Sequence, residues 1–239
     1  MTWSIAAHDS KSGAFAVAVA TKAFAVGASC PYARAGVGAV STQSMTNRYL
    51  GPAVLDGLAR GLTPAAAIEG ALAGDDGRGL RQVHCVDRFG RTAAWTGANC
   101  VMWCGSVSAE GISVAGNMLA GEPTIRETLR HWNTSGDLDM PERLMAAMDA
   151  GETAGGDRRG RQSAAMTMVT TEDFPDLDLR VDDHQAPLTE LRRLLGLWRM
   201  ERAPALKGAP SKANPAGFID MDAIEAGWIA RGLDLRFRR

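Results

Sequence analysis

The apolar pattern of this chain starts almost at its first residue. Residues 1–23 read MTWSIAAHDSKSGAFAVAVATKA: a short apolar strand from the second residue, a turn of Asp9, Ser10, Lys11, Ser12 and Gly13, and a longer apolar strand over 14–20. Chain ends are ordinarily frayed and solvated, so a strand in this position needs a reason. Burial of an apolar first strand is one, and it requires no chemistry. The other concerns Thr2. If Met1 is removed, Thr2 carries a free α-amino group beside its own hydroxyl, the arrangement in which the amine activates the nucleophile.

Further along, residues 24–34 are mixed and turn-like, and 35–41, AGVGAVS, predict a strand of small residues suited to close backbone approach. The next run, Thr42-Gln43-Ser44-Met45-Thr46-Asn47-Arg48-Tyr49, is rich in hydroxyls and amides and predicts a loop, with Thr46 or Asn47 capping a helix. Helical spacing then covers 49–61 and 63–73, the second helix with Thr63 as N-cap and Pro64 in its first position. Strands are predicted over 80–87 and 91–97 as a hairpin, then over 99–108 and 111–115, the last running into a Gly116-Asn117-Met118-Leu119 turn. Helices over 124–132 and from Pro141 to residue 150 precede a glycine-rich stretch holding Arg158, Arg159 and Arg161, which feeds a strand over 164–169. Its glycines permit tight turns, and its arginines suit a carboxylate or a solvated loop. A strand over 177–181 ends in Asp182-Asp183-His184, before Pro187 and a helix over 188–200. Those three residues fit acid–base or metal chemistry, and the aspartates equally fit helix capping.

Strands in blocks separated by paired helices do not alternate as a doubly wound sheet requires. They predict an α+β fold, a four-layer αββα sandwich of two mainly antiparallel sheets packed face to face with helices outside. Both sheets are then covered, which accounts for strands with little polar alternation. The main domain is expected over 1–202. Residues 203–239, proline-rich at first, form a C-terminal extension with a short helix over 221–230 and a basic tail over 234–239.

Composition narrows the partners. With 239 residues, 22% of them charged, and a formal net charge of −1, the chain has no electrostatic footprint for nucleic acid. No stretch approaches the ~20 apolar residues of a membrane span, and Asp9 and Lys11 interrupt any signal-like segment. A cytoplasmic protein with a small-molecule or protein partner is expected. Cys30, Cys85, Cys100 and Cys104 are too few for a disulfide framework and read as buried thiols; no metal and no cofactor is expected.

Several separated segments together carry a family resemblance: the opening Thr2-Trp3-Ser4-Ile5-Ala6-Ala7-His8-Asp9, the 35–40 strand with Gln43, Asn47 and Gly51, the Gly116-Asn117-Met118-Leu119 turn, the 155–164 loop and the 179–184 strand end. Over roughly residues 1–195 the chain resembles the family catalogued as domain of unknown function 1028, regarded as related to the N-terminal-nucleophile hydrolases. The resemblance implies the αββα sandwich and an amidohydrolase whose nucleophile is Thr2. On that footing Thr2 Oγ attacks a small amide or peptide-like substrate, with its own amine as base. Asn117 and backbone N–H groups are the candidate oxyanion donors. Asp9, Lys22, Gln43 and Asn47 lie on segments the fold could bring to the first strand, and Arg159 or Arg161 would hold a substrate carboxylate. A homodimer is expected. The rival expectation is a binding or assembly protein that keeps the fold without turnover.

Overall fold

The structure is a computed structural model that describes residues 2–232. The basic tail expected over 234–239 lies outside the described residues.

The chain opens with the hairpin β1 (Thr2–Asp9) and β2 (Ala14–Thr21), followed by β3 (Pro31–Arg34) and β4 (Gly38–Ser44). Helices α1 (Leu50–Ala59) and α2 (Pro64–Leu72) come next, then β5 (Arg81–Asp87), β6 (Thr92–Thr96), β7 (Trp103–Ala109) and β8 (Ile112–Leu119). After α3 (Pro123–Thr134) and α4 (Met140–Thr153) the chain returns as β9 (Ser163–Val169) and β10 (Leu177–Val181), and ends in α5 (Pro187–Leu197), the short α6 (Ala203–Leu206) and α7 (Met221–Ala230). Thr63 caps α2 as expected, its Oγ1 accepting from Ala66 N at 3.3 Å.

Two antiparallel sheets result, six strands in the order β10-β9-β2-β1-β8-β7 and four in the order β3-β4-β5-β6. The β1–β2 hairpin is thus central to the larger sheet, which explains why both its strands are buried on both faces along most of their length. One face of β1, Trp3, Ile5 and Ala7, packs under α3, α4 and α5 with Leu144, Met145, Met148 and Leu191. Burial of each such large side chain contributes about 1.5–3 kcal/mol. On the smaller sheet, Val40, Val83 and Cys85 pack against Val54, Leu58 and Ile68 of α1 and α2. Between the sheets lie Ala6, Phe15, Val17, Ala39 and Val86. The order is helices, sheet, sheet, helices, as the grouping of elements implies.

Three local expectations need correcting. Residues 31–34 form an edge strand, β3. Thr42, Gln43 and Ser44 belong to β4, and Thr42 and Gln43 are fully buried. Asn117 sits inside β8, opposite Thr2, and not in a turn beyond it. Polarity mimicked loop in the last two segments because the space between the sheets is itself partly polar. The extension from residue 203 touches the 171–173 turn, where Lys212 Nζ donates to Thr171 O and pairs with Asp173, both at 2.8 Å.

Candidate active site

Alternation along a strand sends Thr2, Ser4 and Ala6 of β1 toward the smaller sheet, while Trp3, Ile5 and Ala7 face the helices. The registers line up the partners: Thr2 with Asn117 and Ala6 with Ser113 across β1 and β8, Ser41 with His84 and Gln43 with Gln82 across β4 and β5. Seven polar residues therefore meet between the sheets. Ser4, Ser41, Gln43, Gln82, His84, Ser113 and Asn117 are each at most 1% exposed.

Which end of each amide points where follows from the carbonyls around them. Gln82 Nε2 faces Gly116 O at 2.9 Å, Gly105 O at 3.3 Å and Thr96 Oγ1 at 2.9 Å, and backbone carbonyls only accept. Gln82 Oε1 must then be the end that receives Gln43 Nε2 at 2.8 Å and Asn117 Nδ2 at 3.0 Å. Gln43 Nε2 also donates to Ala115 O at 3.2 Å, and both it and Asn117 Nδ2 approach Thr2 O at 3.5 Å. The carbonyl of the first residue of β1 thus lies beside two side-chain amides.

The partners of Ser4 and His84 likewise fix where their protons lie. Ser4 Oγ lies 2.8 Å from Gln43 Oε1, which can only accept, so the serine proton points there. His84 Nε2, 2.7 Å from the same hydroxyl, must be the donor. Its Nδ1 is then the bare nitrogen, 3.0 Å from Ser113 Oγ. Burial lowers the His84 pKa to about 3, so the ring is neutral. A histidine that donates to a serine does not take its proton, and this pair is structural.

At the mouth of the seam Thr2 is 7% exposed, and its Oγ1 donates to Thr21 Oγ1 at 3.2 Å. Asp157, whose side chain is 1% exposed, closes the rim: Oδ2 accepts Lys22 N at 2.7 Å, Oδ1 accepts Arg159 N at 2.8 Å, and its backbone bridges to Leu119. The glycine-rich stretch is thereby tied to the ends of β2 and β8. Gly156 adopts φ +53°, and a Cβ there would press on Glu152 at 2.8 Å and on the Trp3 ring at 3.4 Å. Among the described residues, the non-glycine residues with positive φ are Ala25, Ser44, Met102 and Met118, all on segments leaving the Thr2 end of the sheets. Backbone strain of this kind collects at functional sites.

The other expected site residues divide between this end and elsewhere. Lys22 follows Thr21, but its Nζ donates to Arg161 O at 3.2 Å. Arg161 pairs with Glu152 and Arg159 with Asp157. Lys22, Arg161, Gln162, Asp183 and His184 line one cavity of about 550 Å³. Asn47 stands outside the seam, its Nδ2 donating to Asp75 Oδ2 at 2.8 Å; hydrogen bonds from Arg81 and Asn47 lower the Asp75 pKa to about 2. Asp9 is at the far end of β1, roughly 23 Å along the strand from Thr2 at ~3.3 Å per residue, where its carboxylate accepts Lys11 N and Ser12 Oγ. Asp182 pairs with Arg180, Asp183 accepts from Gln162, and His184 Nδ1 accepts from Ala186 N, so the three point to separate partners. All four cysteines are free thiols, and burial pushes Cys30 up to about 11 and Cys85 up to about 12. No helix among the described residues is long and apolar enough to cross a membrane.

Sequence reasoning missed Ser4, Gln82, His84, Ser113 and Asp157. The available signal was the alternation Gln82-Val83-His84-Cys85, with polar side chains on one face of β5 opposite those of Ser41 and Gln43. Such a pattern ordinarily marks a solvated face, and only the second sheet makes it interior.

A covered antiparallel sandwich with a hydrogen-bonded polar seam ending at a strand's first residue defines the class. The profile described as Family of unknown function (DUF1028) matches residues 2–191, and the chain belongs to this family. The crystal structure of protein SPO2555 from Silicibacter pomeroyi, assigned to the same family, is 29% identical and superposes with a TM-score of 0.84 over 92% of this chain and 99% of that one. Anbu (ancestral beta-subunit) from Yersinia bercovieri is 10% identical, with a TM-score of 0.36 over 87% of this chain and 99% of that one, a level that carries no inference. No curated protein matches the chain.

Proposed function

We propose that this protein is an amidohydrolase of the N-terminal-nucleophile kind, acting on a small amide or peptide-like substrate once Met1 has been removed. The observation that carries the reading is the setting of Thr2: first residue of a central strand, side chain at the mouth of the seam, hydroxyl on Thr21, carbonyl beside the amides of Gln43 and Asn117. A nucleophile needs such fixing, because misplacement by about 1 Å can cost 100-fold in rate. Thr2 Oγ attacks the amide carbon while the α-amine takes the hydroxyl proton. The amine passes that proton to the leaving nitrogen as the C–N bond breaks, and water then hydrolyses the Thr2 ester. Backbone N–H groups at the mouth stabilise the oxyanion, since both hydrogens of Asn117 Nδ2 are engaged by Gln82 and Thr2. A substrate carboxylate would sit in the cavity lined by Lys22 and Arg161. The reading includes a cytoplasmic homodimer.

A panel of aminoacyl and dicarboxylic-acid p-nitroanilides, offered to Met1-free protein, tests this. Release of nitroaniline should persist in Thr2→Ser and vanish in Thr2→Ala; equal turnover by Thr2→Ala would overturn it. One observation favours a binding or assembly protein without turnover: Lys22 Nζ is turned to Arg161 O and not to Thr2. That reading expects retained Met1 in the native host, which intact mass reports.

A further inference from the structure

We infer that Gln82 locks Asn117 with its carbonyl oxygen as a prepared acceptor, and that this oxygen receives the α-amino group of Thr2 when Met1 is gone. The inference rests on the reading of Thr2 as a residue exposed by loss of Met1, and it adds Gln82 as a positioning residue.

The observation behind it is an orphan. Asn117 is fully buried, yet among the described residues its Oδ1 has no hydrogen-bond partner, while its Nδ2 has Gln82 Oε1 at 3.0 Å and Thr2 O at 3.5 Å. Buried polar atoms are almost always paired, and an exception asks for an explanation. Reversing the amide is no remedy. It would set Oδ1 against Gln82 Oε1 and Thr2 O, two acceptors. Nor can Gln82 turn to accommodate it, because its Nε2 is committed to Gly105 O, Gly116 O and Thr96 Oγ1. The orphaned oxygen is therefore imposed by a residue on the opposite sheet.

What could satisfy it is set by register. Thr2 and Asn117 face each other directly across β1 and β8, so their side chains share one face with Cβ atoms roughly 4.5–5.5 Å apart. While Thr2 is in a peptide bond its nitrogen has a single hydrogen. Removal of Met1 by hydrolysis of that bond turns the nitrogen into an amine, with two hydrogens when neutral and three when protonated. The donor that Asn117 Oδ1 lacks is created at the position opposite it. A carbonyl dipole favours the charged form of a donor it accepts from, so the contact raises the amine's pKa and fixes its orientation beside Oγ1.

The test uses Met1-free protein labelled with ¹⁵N-threonine, with the Thr2 amine titrated by NMR. Asn117→Leu should lower the amine pKa by about one unit, a tenfold change in its acidity, and Gln82→Met should lower it in the same direction by less, since Asn117 is then free to turn. An amine pKa unmoved by both substitutions overturns the inference. Should either variant fail to fold, the crystal structure of the unsubstituted Met1-free protein decides. Asn117 Oδ1 within about 3.2 Å of Thr2 N supports the assignment, and a separation beyond that reach, or Nδ2 turned toward the amine, overturns it. None of these readouts needs turnover. The nucleophile reading fails separately, through an active Thr2→Ala protein.

Discussion

Replacing Gln82 by leucine removes a side chain with five polar partners, Thr96, Gly105, Gly116, Gln43 and Asn117, at complete burial. The two amide donors aimed at Oε1 suffer most. Gln43 Nε2 keeps Ala115 O at 3.2 Å, whereas Asn117 Nδ2 keeps only the 3.5 Å approach to Thr2 O. A buried donor or acceptor left unpaired costs about 1–3 kcal/mol, so the two donors together cost about 2–6 kcal/mol, of which burying the leucine returns about 1.5–3 kcal/mol. The net expectation is a loss of about 0.5–3 kcal/mol, a sizeable share of the roughly 5–15 kcal/mol that holds a domain folded. Urea unfolding followed by tryptophan fluorescence measures it, provided the slope with denaturant stays constant. The control is Arg126→Ala, which breaks a solvent-exposed ion pair with Glu122 and should cost less than about 1 kcal/mol. If Gln82→Leu costs no more than that control, the seam is not the constrained network described above. Gln82→Glu adds a signed check. A carboxyl buried there has a raised pKa, so its penalty is absent below the unfolded value of ~4.3 and grows as pH rises above it.

Other expectations follow from burial and close packing. Because the folded pKa of His84, about 3, lies below the unfolded ~6.5, the unfolded chain binds more protons between those values. The contribution of His84 to stability is therefore full above pH ~6.5 and falls by about 1.4 kcal/mol per pH unit on acidification toward 3; a foldable His84→Asn protein should show a shallower acid slope in urea titrations at several pH values. Gly151→Ala sets a methyl group 2.9 Å from Trp3 Nε1, where α4 crosses the start of β1. Overpacking of this kind costs about 1–3 kcal/mol. Since Trp3 adjoins Thr2, any turnover should fall along with the melting temperature.

The layers of the fold were legible because apolar period and turn residues agree along most of the chain, as at Thr63-Pro64 and in the Asp87–Gly90 turn. Less of the candidate site was legible, and around Thr2 it was Gln43 and Asn117. Thr2 stands out by its place in the chain, Gln43 and Asn117 through the family resemblance, and Lys22 and Arg161 by their charge, but Gln82 and His84 have no local mark. Their polarity is that of a solvated strand face, and what makes it interior is a sheet contributed from elsewhere in the sequence. Asp9 misled for the opposite reason. It is close to Thr2 in sequence, yet an extended strand of 8 residues carries it to the other end of the sandwich.

The claim that most needs testing is that a free Thr2 is the reactive group. A β-lactone opens onto an activated hydroxyl to leave a stable ester, and peptide mass mapping locates it. Offered to Met1-free and Met1-bearing forms of the protein, the lactone should leave an ester on Thr2 of the Met1-free form alone, abolished by Thr2→Ala. Labelling of Thr2 to the same extent in both forms, or none on Thr2 in the Met1-free form, would contradict it.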